Sequence, residues 1–283
     1  MFNRLAPRVL AISILSLGVL VVMSPPASAA EVKATFQGNQ HFRFVSTEGK
    51  VILINPWIKG NADALVKVED FNKGDVDAIL VTSGHGDDMG QVAEIAARTG
   101  ATVIAAFELG TYIAQRVKAL GGNPKQVRGA AISGRLKIGD VTVQLLQAEH
   151  GSAFIMKGSS LWQYGGPALG FLMTFENGLK VLMAGSTGLS MNLQLFGMRY
   201  QPHVVMVPVA GRYMMHPDDA AYAVKLLQTD NPNLKTAIPQ HFRVAKRPPW
   251  MGTPAQFADE VKKLGLDVNV LIPRVGEEFT LTK

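Results

Sequence analysis

The sequence predicts an α/β sandwich, two mixed β-sheets packed face to face with helices on the outer faces. Strand-rich stretches alternate with helical ones in two halves of similar make-up, which is the pattern of layered sheets rather than of a bundle or barrel. His85, Asp87, His150, Ser186 and His241 each stand just past the end of an apolar strand, and such ends are where α/β sheets gather their ligands. Beyond an N-terminal leader about 250 residues remain, enough for one large domain, and residues 31–283 are read as that single domain.

Residues 1–30 have the make-up of a cleavable secretory signal peptide. Arg4 and Arg8 form a positive start, an apolar run follows to Met23, and Pro25-Pro26 lead into the small residues Ala27-Ser28-Ala29-Ala30. The run is about 15 residues, short of the roughly 20 that a span needs, so cleavage is expected and no stable membrane anchor remains. The expected destination is the periplasm or the exterior. The chain has no cysteine, which removes a lipid-attached start, disulfides and thiolate ligands. Its formal net charge is +6, falling to about +4 without the leader's arginines. The basic residues are scattered, with Lys246-Arg247 an isolated adjacent pair rather than part of a run, so no nucleic-acid surface is indicated.

In chain order, Val32–Phe36, Phe42–Val45 and Val51–Ile54 read as short strands separated by Gly38-Asn39 and Glu48-Gly49. A polar link leads to a strand over 78–81. Asp88 precedes Gln91 by one capping interval, so a capping box is expected to open a helix running from Met89 to Arg98. A buried strand over 102–105 and an amphipathic helix over 109–120 follow, the helix stopped by Gly121-Gly122. Strands are then expected over 131–138 and Val141–Gln147, joined by Gly139-Asp140, and over 169–175 and 179–183, joined by Asn177-Gly178. The remainder reads as a strand over 204–207, a helix over 218–227, a strand over 236–238, a helix over 254–264 and a closing strand near 268–271. Methionines such as Met173, Met183 and Met206 fall inside strands and read as core.

The chemistry is expected to centre on residues 79–90, ILVTSGHGDDMG. His85 and Asp87 flank Gly86 in the loop after a strand. Glycine's freedom at φ > 0 would let that loop curl and aim an imidazole and a carboxylate at one point, as a divalent cation requires.

The chain resembles the metallo-β-lactamase superfamily, in its branch of small lactonase-like metal-dependent hydrolases. The resemblance rests on motifs in consistent order from Val32 to Phe242: LINPW at 53–57, TSGHGDDMG at 82–90, TGATVIAAFEL at 99–109, His150, GGPALGF at 165–171, AGSTG at 184–188, MMHPDDAA at 214–221 and IPQHF at 238–242. It implies a metallo-β-lactamase-type αβ/βα sandwich and a metal centre. The family's H-x-H-x-D-H motif falls on Ser83, His85, Asp87 and Asp88, so its first and last histidines are absent. His150 and His241 keep later ligand positions, while Ser186 stands where the family has a bridging aspartate. Asn39 and Asn55 stand where a histidine and an aspartate are usual, and are expected to support the ligands.

The ligand set implied is therefore His85, Asp87, His150 and His241, holding one divalent ion, with zinc expected, rather than two. A neutral hydroxyl at Ser186 cannot bridge two cations about 3.5–4 Å apart as a shared carboxylate does. Asp88 is read either as a substitute ligand or as a helix cap. The function implied is a metal-dependent hydrolase of an ester, lactone or related small molecule, with Asp87 or Asp88 taking the proton of the attacking water. The alternative is a metal-poor relative that keeps the scaffold to bind a small molecule. Trp162, Arg212, His216 and Trp250 are the candidate substrate contacts. Trp57, Tyr164 and Arg243 flank the same region, and His216 is also readable as a surface residue. His41 is given no role and His203 is read as exposed. The oligomeric state is not specified by any of these features.

Overall fold

The computed structural model describes residues 31–156 and 158–283, so the expected leader lies outside the described residues. The chain forms β1 (Val32–Phe36), β2 (Phe42–Val45), β3 (Val51–Ile54), β4 (Ala78–Leu80), α1 (Gly86–Met89), α2 (Val92–Thr99), β5 (Thr102–Ala106), α3 (Phe107–Ala119) and β6 (Val127–Ala130). The second half contributes β7 (Arg135–Ile138), β8 (Val141–Gln147), β9 (Phe154–Ile155), β10 (Trp162–Gln163), β11 (Leu169–Thr174), β12 (Lys180–Met183) and α4 (Asn192–Tyr200). It ends with β13 (Val204–Pro208), α5 (Pro217–Gln228), β14 (Thr236–Gln240), α6 (Pro254–Lys263), β15 (Asn269–Val270) and β16 (Glu278–Leu281).

The strands make two 7-stranded sheets, ordered β16-β1-β2-β3-β4-β5-β6 and β15-β14-β13-β12-β11-β8-β7. Each is antiparallel on one side and parallel on the other: β3 to β6 run parallel in the first, and β12 to β15 in the second. Parallel strands need both faces covered. Accordingly α2 and α3 pack on the first sheet, and α5 and α6 on the second. The inner faces meet through aromatic side chains, with Phe44 of β2 6.3 Å from Phe175 across the sandwich and Phe36 4.9 Å from Phe242. The expected sandwich is thus the observed one. No helix among the described residues is long and apolar enough to cross a membrane.

Several element boundaries differ from expectation. The helix expected from Met89 is broken: α1 is a single turn, and α2 starts after Gln91 without a side-chain cap. Gln91 does not answer Asp88; its Oε1 accepts the backbone N–H groups of Ile58 and Lys59 instead. The strand expected over 131–138 is shorter, β7 (Arg135–Ile138) beside β8, and an unexpected strand before it, β6 (Val127–Ala130), lies beside β5 in the other sheet, so the chain crosses between the layers here. The loop after residue 150 contains the small β9–β10 hairpin.

Candidate active site

The two sheets are joined at their strand ends by one isolated pairing. Asn39, after β1, and Phe242, after β14, form an antiparallel bridge, with Asn39 N–H donating to Phe242 O at 3.1 Å and His241 N–H to Asn39 O at 2.7 Å. Holding this junction places Asn39 and His241 in the left-handed backbone region, both at φ 59°, and Asn55 joins them at 45°. Asparagine tolerates that region, histidine less readily, and such conformations concentrate at functional sites.

Around the junction lies a cavity of about 430 Å³ lined by Asn39, His85, Asp87, His150, His241 and Arg243, with Ala210, Tyr213, Met214, Trp250 and Met251 as its less polar side. The strand ends that sequence places after β4, β8 and β14 therefore do converge. His85 Nδ1 is 3.2 Å from His150 Nε2, the rings edge-on at 84°. His241 Nε2 is 3.1 Å from Asp87 Oδ2, and Asn39 Nδ2 donates to the same oxygen at 3.1 Å. The His85 loop curls as the α1 turn rather than by positive φ. Its Gly84 is required because a Cβ there would lie 2.5 Å from Ser152 O.

Successive helical residues point about 100° apart, so the α1 turn sends Asp87 into the cavity and Asp88 away from it. Asp88 is 1% exposed. It receives Ser83 Oγ at 2.5 Å, Asn55 Nδ2 at 3.2 Å and Ser186 Oγ at 3.3 Å. Asn55 also donates to Gln40 Oε1 at 2.5 Å and to Thr82 Oγ1 at 2.7 Å. Gln40 Nε2 then faces Ser186 Oγ at 2.7 Å and contacts His241 Nδ1. Asp88 is thus neither a cavity ligand nor a base at the cavity, nor a capping-box residue, correcting each of those expectations. Ser186 reaches its place because Gly185, at φ 71°, lets the β12 end pass where a Cβ would strike Leu169 O at 2.2 Å.

Electrostatics separate the adjacent carboxylates. Burial alone would raise the Asp87 carboxyl, but the hydrogen bonds it accepts from His241 Nε2 and from the Asn39 amide hold it below the usual carboxylate range. Asp88 is pushed up to about 6, first by burial and then by the charge of Asp87. Burial, then the neighbouring His85, lowers His150 to about 4, so its imidazole is neutral at pH 7 and able to act as a donor to a metal.

The remaining expected contacts divide. Trp250 lines the cavity, and Tyr213 stands 5.4 Å from it at 90°. Arg212 is exposed and outside the lining, but its guanidinium lies 5.3 Å over Tyr213 and 5.8 Å over Trp250, so it braces the wall rather than facing a substrate. Trp162, in the β9–β10 hairpin, is 67% exposed and does not line the cavity. His216 is exposed ahead of α5, packed against Gly211, and is not a cavity residue. His203 is half-buried rather than exposed, its Nδ1 accepting Lys180 N–H at 3.0 Å. Sequence reasoning missed Gln40, Tyr213, Met214 and Met251. The Met214-Met215 pair beside a strand end is the one signal that would have pointed to part of this wall.

Among the described residues, no three His, Asp or Glu side chains stand close enough to share an ion as they sit. The single four-ligand ion expected from sequence is therefore not assembled. The donors form two pairs, and the second is already engaged. Gln40 Oε1 is fixed by Asn55, which turns its NH₂ toward His241 Nδ1 and leaves the ring proton on Nε2, donated to Asp87. The first pair is hydrogen-bonded ring to ring, His85 Nδ1 to His150 Nε2 at 3.2 Å, a separation close to the ~3.3–3.4 Å between two nitrogens on one tetrahedral ion at about 2.0–2.1 Å each.

Comparison with known proteins bears on this arrangement. The family model described as Beta-lactamase superfamily domain matches residues 50–242. A protein of Methanopyrus kandleri named UPF0173 metal-dependent hydrolase MK1542 is 34% identical over 248 residues, 88% of this chain and 99% of its own. A UPF0173 metal-dependent hydrolase of Rubrobacter xylanophilus is 33% identical over 248 residues, 87% of this chain and 96% of its own. The solved structure of Igni18, described as a novel metallo hydrolase from the hyperthermophilic archaeon Ignicoccus hospitalis KIN4/I, matches with TM-score 0.69 and 29% identity, covering 89% of this chain and 99% of that one.

Proposed function

The chain belongs to the beta-lactamase superfamily, and on that premise we propose that it is a metal-dependent hydrolase of a small ester or lactone, exported to the periplasm or beyond. The observation that carries the reading is the pair His85 Nδ1 and His150 Nε2, 3.2 Å apart at the mouth of strand ends that also present Asp87. Relatives named metal-dependent hydrolases support a divalent cation here, and zinc suits an imidazole pair.

His85 and His150 would hold that ion, one rather than two, because the bridging position carries the buried Ser186 hydroxyl. When bound, it would lower the pKa of a coordinated water toward about 7 and polarise a carbonyl. The chain's own groups do the rest. Asn39 and His241 both bond to Asp87 Oδ2, fixing the carboxylate and leaving Oδ1 to receive the water's proton. Tyr213, Trp250 and Met251 shield the substrate's apolar part from solvent. Arg243, over the Trp57 ring at 5.0 Å, keeps its buried Nε without a partner among the described residues, ready for an anionic or carbonyl oxygen.

The Ser83–Asp88–Ser186 network favours a second reading, a relative that binds a small molecule without metal chemistry, since these residues close off the positions of the outer ligands. Metal analysis of natively purified protein and hydrolysis of an ester and lactone panel separate the readings. Near-stoichiometric metal, with turnover abolished by His85→Ala and by His150→Ala, supports the hydrolase. Neither metal nor turnover after zinc or manganese loading supports the binder.

A further inference from the structure

We propose a second ligand site, on the opposite face of the first sheet from the sandwich core, that takes a small zwitterion bearing an ammonium, a carboxylate and a short apolar body, of the kind of a free aliphatic amino acid.

The alternation of β2 creates it. Phe42 and Phe44 point into the sandwich, so His41 and Arg43 point outward. Over the parallel half of this sheet the outward face is covered by α2 and α3. Over β2 and β3 the cover is the irregular β3–β4 crossover, whose regular structure is one 3-10 turn at Val68–Asp70. A crossover between parallel strands is ordinarily a helix. Here its absence leaves a cavity of about 350 Å³, within the size range of small-molecule sites.

The cavity has unmet hydrogen-bonding demand at its inner end. His41 is 1% exposed, and neither ring nitrogen finds a partner among the described residues. Gln37 is 8% exposed, and its Oε1 is likewise unpartnered. Buried polar groups are ordinarily paired. A neutral imidazole offers one donor and one acceptor, and an amide oxygen is an acceptor, so of the three buried unpartnered atoms two accept and one donates. An ammonium supplies donors for the two acceptors. Exposed Asp70 and Asp75 add negative charge at the rim, while half-buried Arg43 presents a guanidinium suited to a carboxylate. Val51, Leu53 and Phe71 supply apolar wall between them. Burial also lowers His41 to about 3, so the ring is neutral at pH 7 and does not repel the ammonium. The site shares no lining residue with the His85–His150 cavity, so it stands or falls independently of the hydrolase reading.

The test is calorimetric titration of the mature chain with L-leucine, isoamylamine and isovalerate, repeated after chelator treatment. Saturable leucine binding with Kd of about 1 mM or tighter, at least about tenfold stronger than either single-charge probe and unaffected by chelator, supports the site. His41→Phe and, as the less buried change, Arg43→Met should each weaken it at least about tenfold with the thermal midpoint of Arg43→Met unchanged, while Asp87→Asn leaves it intact. No saturation by about 10 mM leucine, the result of a cavity holding only water, overturns the proposal. So does leucine binding indifferent to Arg43→Met.

Discussion

Ser83 Oγ donates to Asp88 Oδ2 at 2.5 Å, and each side chain is 1% exposed. The resemblance drawn from the sequence puts the outer histidines of the family motif at these two positions, and here the two side chains bond to each other. The pairing divides labour between neighbouring carboxylates. Asp88→Asn, which keeps the shape but loses the acceptor for Ser83 or Ser186, should cost about 1–3 kcal/mol of stability and leave most of the hydrolytic rate. Asp87→Asn should lower kcat by about 10²–10⁴ and, because His241 and Asn39 stabilise the ionised carboxylate, should also lower the stability at pH 7. Urea titrations beside steady-state kinetics decide it. Equal losses of rate would put both groups at the chemistry.

Gln40 explains why His241 is tied to Asp87 rather than free for metal. Its amide NH₂ faces His241 Nδ1, so the ring keeps its other proton on Nε2. Gln40→Glu replaces that donor with an acceptor and draws the proton to Nδ1, the usual condition of a metal-bound histidine. Zinc affinity, measured by competition with a chromophoric chelator, should rise by about tenfold, at the lower end of effects from such supporting partners. A folded variant with unchanged affinity would reverse the tautomer.

Much of this was legible in the sequence because it is written locally. Strand ends followed at once by His85, His150 and His241 announce a shared rim, and Gly139-Asp140 and Asn177-Gly178 mark real hairpins. What was illegible depends on partners far along the chain. β16 is defined by pairing with β1 at the other end of the domain, Val32 opposite Leu281. α4 was masked by Gly197, a poor helix former that is present because a Cβ there would meet Leu227 O of α5 at 2.3 Å. Gln40 carried no signal, since its role exists only once Asn55, Ser186 and His241 surround it.

The aromatic wall should be asymmetric in function. Trp250 lines the cavity and is braced by Tyr213 and Arg212, whereas Trp162 stands on a solvent-exposed hairpin. Trp250→Ala should raise KM by roughly tenfold or more, the worth of burying part of a substrate's apolar surface, with kcat less affected. Trp162→Ala should leave both within about twofold. A KM effect confined to Trp162 would mean that the hairpin folds over the bound substrate.

His41 gives the fold an acid sensitivity of defined sign. Burial holds its folded-state pKa at about 3 against 6.5 for a free imidazole. Below pH 6.5 the unfolded chain therefore binds a proton that the folded chain refuses, and stability falls with pH until the folded pKa is reached. From pH 7 to pH 5 this group alone should remove about 2 kcal/mol, at 1.36 kcal/mol per unit below the free value. His150 and the carboxylates add their own dependence, so the comparison that isolates His41 is the wild type against His41→Phe, each unfolded in urea at pH 7 and pH 5. The variant should lose about 2 kcal/mol less than the wild type over that interval. Parallel losses would mean that the folded protein admits the proton, which requires water or an anion beside the ring at acid pH.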